Sequence, residues 1–187
     1  MVHKSLVCRD SSFFKAACKG GFREAESNEV KLPDDEPEIF DNFVRWLYTQ
    51  DIERPSTASG PDWEHLVNIY VLADKLGAPK FGNCVMQIIA QEVWLKWDEE
   101  EEEEPSLPDA AAVCVAYENT PASSPLRQFL VDVYCCNNKV QIPMDAVPDE
   151  FVMDIVITLK RTSVESGAHQ KFWESYDLCH YSLAVEE

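Results

Sequence analysis

The chain has 187 residues, 45% of them hydrophobic and 27% charged, with a formal net charge of −18. Such a chain can build one ordinary globular domain, or a domain with an extension. Its acidity argues against nucleic acid and anionic membrane surfaces as direct partners.

The longest uninterrupted apolar run, Ala110 to Tyr117, falls far short of a membrane span. Seven cysteines, at 8, 18, 84, 114, 135, 136 and 179, make an odd number and fall mostly in apolar periodic runs. That pattern suits free thiols in a reducing compartment better than a disulfide framework. His3, Lys4, Arg9 and Asp10 interrupt any apolar leader at the N-terminus. The expected location is cytoplasmic or nuclear.

Lys4 to Cys8 reads as a first short helix. Ser11 or Ser12 can cap a second, carrying Phe13, Phe14, Ala16 and Ala17 and ended by Gly20-Gly21. Glu29-Val30-Lys31-Leu32 alternates polar and apolar and stops at Pro33, the pattern of a short strand with one buried face. Asp34, Asp35 and Glu36 precede Pro37, as acids and proline do at a helix start. The helix they open runs to about Tyr48, with Ile39, Phe40, Phe43, Val44, Trp46 and Leu47 as one wide apolar stripe.

Glu53 to Pro61 is a loop by composition. Gly60-Pro61-Asp62 then starts a helix that is apolar on nearly all sides from Trp63 to Leu76, so it belongs deep in the core. Gly77 stops it, Pro79 restarts the chain, and a further helix carries Phe81, Cys84, Val85, Ile88, Ile89 and Val93. Asp98 to Glu104 is an unbroken run of seven acids, followed by Pro105 and Pro108. Like charges repel and prolines break helices, so this is a solvated linker.

Beyond the linker, Pro108 to about Glu118 reads as a helix. Ser124-Pro125 caps and opens another with Leu126, Phe129, Leu130, Val133 and Tyr134 on one face. Pro148-Asp149-Glu150 opens a third with Phe151, Val152, Ile155, Val156 and Leu159. Lys171 to Tyr181 is aromatic and weakly periodic, and is assigned as a helix.

Three separated blocks carry a resemblance: VHKSLVCRDSSFFKAACKGGF, EVKLPDDEPEIFDNFVRWLYT and LVNIYVLADKLGAPKFGNCVMQII. In order and spacing they resemble a BTB/POZ domain over residues 2–97. The block YENTPASSPLRQFLVDVY resembles the extension found in fungal members. The resemblance implies an interaction module without catalytic activity, which self-associates and in many relatives recruits a cullin scaffold as a ubiquitin-ligase substrate adaptor. In that subset a hydrophobic residue, any residue and a glutamate precede the strand; here those positions are Phe22, Arg23 and Glu24. An exposed aromatic can anchor a small interface, with a nearby charge to orient it.

The sequence departs from the family at three places. The strand hairpin expected before His3-Lys4 is absent, Gln50 stands where relatives carry glycine, and no recognisable client-binding domain follows. Glycine there relieves a turn with positive φ, so Gln50 is expected to alter that turn.

Alternative chemistries find little footing. His3 and Cys8 fit no zinc spacing, and His3 is expected to hydrogen-bond at the helix start. Cys135-Cys136 are adjacent, unsuited to a disulfide, and Cys179-His180 supply only a pair of ligands. There is no phosphate-binding glycine loop and no Ser-His-Asp set. The sequence therefore predicts a mainly helical α+β protein. Its parts are a BTB/POZ-like domain at 1–97 lacking its first strands, an acidic linker at 98–107 and a helical extension at 108–187. No catalytic, cofactor or metal residues are expected. The candidate contacts are Phe22 and Glu24, and the expected partners are proteins: a cullin or a second copy of the chain. A cysteine-based enzyme is the reading from a third class, which full loss of an activity on thiol alkylation would revive.

Overall fold

Trp63–Lys75 is the helix around which the others pack. Of its residues Trp63, Leu66, Val67, Ile69, Tyr70, Leu72 and Ala73 are buried, covering almost its full circumference, as its all-round apolar sequence predicts. Asp62 caps it, its carboxylate accepting from the His65 N–H at 3.0 Å.

The computed structural model describes residues 2–19, 24, 27, 29–33, 35–54, 56–57, 60–95, 107–136, 145–164 and 181–184. In chain order its elements are α1 (Lys4–Asp10), α2 (Ser12–Lys19), α3 (Pro37–Thr49), β1 (Ser56–Thr57), β2 (Gly60–Pro61), α4 (Trp63–Lys75) and α5 (Pro79–Leu95). Then follow α6 (Ala110–Asn119), α7 (Pro125–Cys136) and α8 (Asp149–Val164). The protein is thus a mainly helical α+β structure, as expected. The acidic run 98–104, Gly20-Gly21, and the expected terminal helix before Tyr181 lie outside the described residues.

Helix α3 starts where the sequence places it, with Pro37 in its first turn and Glu36 at the cap position. Ile39, Phe43, Trp46 and Leu47 are buried along its stripe. Phe43 and Trp46 meet Phe81 of α5, each with ring centroids 5.2 Å apart. Burying a side chain of this size contributes roughly 1.5–3 kcal/mol, so this aromatic junction is a main support of the front of the molecule.

The strand expected at Glu29–Leu32 does not form; residues 29–32 have no regular structure. Alternation sets which side chains face inward, but a strand also needs a neighbour to satisfy its N–H and C=O groups, and the structure pairs none with this segment. Val30 and Leu32 nevertheless pack against the core, half-buried. The only sheet among the described residues is the antiparallel pair β1–β2, with Ser56 opposite Pro61 and Thr57 opposite Gly60. It sits inside the segment expected to be a plain loop.

The back of the chain closes on the same core. Helix α6 lies against α4, and α8 packs on α7. Asp109 caps α6 through the Ala112 N–H at 2.9 Å, and Pro125 opens α7. Val113, Leu126, Phe129, Leu130 and Phe151 join the buried cluster that includes Tyr70 and Phe81. On α8 Phe151 and Ile155 are buried, while Leu159 is exposed. Near its end Asn83 of α5 clamps Leu183, its Oδ1 accepting from the Leu183 N–H at 2.6 Å and its Nδ2 donating back at 3.1 Å.

Candidate interaction surface

The first two helices form a hairpin held at both ends. At one end the His3 N–H donates to the Tyr48 hydroxyl at 3.1 Å, and His3 Nδ1 lies 2.6 Å from the same oxygen. His3 was expected to hydrogen-bond at the helix start. It does so with Tyr48 at the far end of α3, and makes no side-chain cap bond. At the other end the Ser11 hydroxyl donates to Leu76 O at 2.6 Å and accepts from the Phe14 N–H at 3.2 Å. Ser11, not Ser12, is therefore the residue that caps α2.

Two further bonds seat the hairpin on the turn after α4, from Ser12 N–H to Gly77 O and from Phe13 N–H to Leu76 O. Gly77 has φ +53°, and a Cβ there would lie 2.0 Å from Ser12 Oγ. The close approach and the left-handed backbone both require glycine at this position.

Adjacent phenylalanines cannot both face inward from a helix that turns 100° per residue. Phe14 is buried against Phe40 and Phe43, while Phe13 stays 38% exposed with its ring edge against Phe14. Sequence reasoning placed both on the helix without separating them. Lys4, Arg9, Lys15 and Lys19 also belong to this hairpin and are exposed. Arg9 pairs with the buried Asp10 carboxylate, which raises the arginine further above its usual range. Glu24, one of the two expected contact residues, is helical and exposed. Phe22, the other, lies outside the described residues.

Gln50 takes the left-handed conformation at φ 57°, ψ 24°. Its N–H donates to Trp46 O at 2.8 Å and its side-chain Nε2 to the same carbonyl at 2.9 Å. The expectation that glutamine would alter this turn is not met. The positive φ is kept, and the side chain adds a local bond.

The hairpin is thus braced at both ends and carries one exposed aromatic, Phe13. Residues 1–92 match the BTB/POZ domain family. That match runs from α1 to residue 92 within α5, so the hairpin, its braces and the aromatic junction beneath them all lie in the matched segment. A search of curated proteins returned no match to the chain. BTB/POZ domains mediate protein–protein interaction, often dimerisation.

A groove of about 550 Å³ between α7 and α8 is lined by Arg127, Val131, Asp132, Asp154, Ile157 and Arg161. Met153 and Ile157, a helical turn apart on α8, are 56% and 49% exposed, which their place on an apolar-rich helix did not signal. A smaller groove of about 370 Å³ between the hairpin and the start of α5 is lined by Arg9, Ser12, Lys15, Gly77, Lys80 and Ala184. Among the described residues no group of three or more His, Cys, Asp or Glu side chains is placed to hold a metal ion. Nor is any described helix long and apolar enough to cross a membrane.

Proposed function

We propose that this protein is a protein–protein interaction module of the BTB/POZ type whose α1–α2 hairpin docks a partner, and that the partner is the N-terminal region of a cullin. The observation that carries the reading is the family match over residues 1–92. The exposure of Phe13 on the hairpin and of Glu24 supports it. In this reading Phe22 anchors in an apolar pocket of the partner and Glu24 fixes its orientation, as buried aromatics and rim charges commonly do. The hairpin is presented on a packed scaffold, so little ordering entropy is lost on binding. The block from Tyr117 to Tyr134 supports a member of fungal type, with the extension after residue 107 in the place of a client-binding part.

Calorimetric titration of the full chain with a cullin N-terminal region tests the proposal. Phe22→Ala is expected to weaken binding by about 1–2 kcal/mol and Glu24→Ala by less. Titrations with equal affinity for both variants and the parent remove the cullin reading.

A second reading is a self-associating scaffold without a cullin, favoured by the exposed apolar residues Phe13, Met153 and Ile157. It predicts a concentration-dependent dimer by light scattering that Phe13→Ser or Met153→Ser weakens, together with no cullin binding.

A further inference from the structure

We propose that α5 and α7 together form a peptide-binding site for an extended segment carrying a tyrosine and, two residues on, a leucine. The chain's own Tyr181–Leu183 fills the site in cis, and a partner protein's segment of the same chemistry exchanges with it.

Tyr181 is 4% exposed. Its ring stands edge-on to Phe129 of α7 with centroids 5.3 Å apart, and its hydroxyl donates to Asp132 of the same helix at 2.7 Å. An apolar wall that ends in an acceptor suits tyrosine better than phenylalanine. Two residues on, Asn83 of α5 meets the backbone of Leu183 with both ends of its amide. It accepts from the Leu183 N–H at 2.6 Å and donates to the Leu183 C=O at 3.1 Å. A neighbouring strand would offer the same pair of bonds, which reads main chain whatever its side chain.

Gly82 completes the site. It lies in the interior of α5 and not at positive φ, so its backbone does not call for glycine. Glycine also weakens a helix interior. A Cβ there would lie 2.7 Å from Leu183 Cδ1, whereas Ala73 at 3.5 Å and Tyr70 at 3.9 Å are ordinary contacts. The missing Cβ thus makes room for the leucine and is not needed for packing between helices.

The occupant lies on the surface of the helices. Residues 182–184 have no regular structure, Ser182 and Ala184 are exposed and Leu183 is half-buried. Ala184 enters the groove lined by Arg9, Lys15 and Lys80, with Asp74 and the Asp10 that pairs with Arg9. In the sequence Val185, Glu186 and Glu187 follow. Acids after the leucine complement the cationic side chains of that groove. The ligand class is therefore an extended Tyr-x-Leu peptide with acidic residues on its C-terminal side. The site is independent of the cullin reading, which concerns Phe22 and Glu24.

Fluorescence anisotropy of a labelled peptide with the sequence of His180–Glu187 tests this on the full chain. In the parent the tethered segment competes at high effective concentration, so the peptide should bind weakly. Leu183→Asp ejects the leucine, and Leu183→Pro removes the N–H that Asn83 accepts. Either variant should bind the peptide at least about tenfold more tightly than the parent. Adding Asn83→Ala or Gly82→Ala to either should abolish that gain. Gly82→Ala cannot act by weakening α5, because alanine is the better helix former. Peptides with the tyrosine or the leucine replaced by alanine should not bind. Parent-like affinity in both Leu183 variants would overturn the proposal, as would a gain that survives Asn83→Ala and Gly82→Ala. Loss of the parent's circular dichroism in both Leu183 variants would overturn it too, by making the segment part of the core instead of a ligand.

Discussion

The Arg127 guanidinium carbon lies 4.4 Å from the centroid of the Tyr117 ring. The same group donates to the carbonyls of Tyr117 and Thr120 and to the Thr120 hydroxyl, and pairs with Glu150 at 3.0 Å. Tyr117 in turn donates its hydroxyl to Asp154 at 2.8 Å. One buried cation thus ties the end of α6 to α7 and α8. Removing it leaves buried carbonyls without a donor, a penalty of about 1–3 kcal/mol for each such group. Arg127→Met is therefore expected to destabilise the protein by about 2–4 kcal/mol in urea denaturation. Arg127→Lys should recover little, because an ammonium cannot span the same carbonyls as a planar fork. A loss below about 1 kcal/mol for Arg127→Met would show the knot to be dispensable.

Gln50 supplies a cleaner backbone test. Left-handed backbone costs an L-residue about 1 kcal/mol relative to glycine. Gln50→Gly relieves that cost and loses one half-exposed side-chain bond to Trp46 O. The expected net effect is a gain of up to about 1 kcal/mol, read as a higher urea midpoint at unchanged m-value. Gln50→Val should do the opposite, since a β-branched side chain tolerates positive φ poorly.

How much of this was readable beforehand follows from which forces are local. The starts of α3, α4 and α7 rest on Pro37, Asp62 and Pro125, whose effects act within one turn, and each stands where sequence puts it; α6 begins at Ala110 behind its Asp109 cap, two residues after the expected Pro108. The strand at 29–32 fails because pairing is a tertiary property that alternation cannot supply. The exposure of Phe13 and Leu159 was not legible, because apolar identity does not say which side of a helix the neighbours will cover. The Gln50 turn was misjudged for another reason: helix termination by an i to i−4 bond outweighed residue preference.

Alkaline pH should unfold the protein earlier than its acidity suggests. Tyr134, buried with its hydroxyl donating to Pro108 O at 2.5 Å, is pushed up from 10.0 to about 12, chiefly by burial. Cys135 and Cys136 on the same helix are raised too, again mainly by burial. The unfolded chain loses these protons first, so between the ordinary and raised values the folded state holds more of them. Stability then falls as pH rises, by up to about 1.4 kcal/mol per pH unit for each such group. Denaturation followed from pH 8 to about 11 should show this decline starting near the ordinary thiol and phenol values. Tyr134→Phe should flatten it above about pH 10 while lowering stability at neutral pH by about 1 kcal/mol for the lost bond. An unchanged slope in that variant would assign the decline to other groups.

The division of the chain at the acidic run invites a last test. Tyr70 on α4 is buried to 1% exposure. Among the described residues its hydroxyl has no hydrogen-bond partner, although Ser124 and the Leu126 backbone lie close enough to influence its titration. The hydroxyl therefore contributes little, and Tyr70→Phe should be neutral within about 0.5 kcal/mol. Tyr70→Ala should cost about 3–5 kcal/mol, because the ring fills the core where α4 meets the back of the chain. The same junction governs truncation. Residues 1–97 produced alone would expose the face of α4 that α6 covers, an apolar surface rather than a polar domain boundary. That fragment is expected to aggregate or to bind a hydrophobic dye strongly, and co-expression with residues 108–187 should restore a soluble complex. A monomeric, cooperatively folding 1–97 fragment with the stability of the full chain would show instead that the extension is an independent attachment.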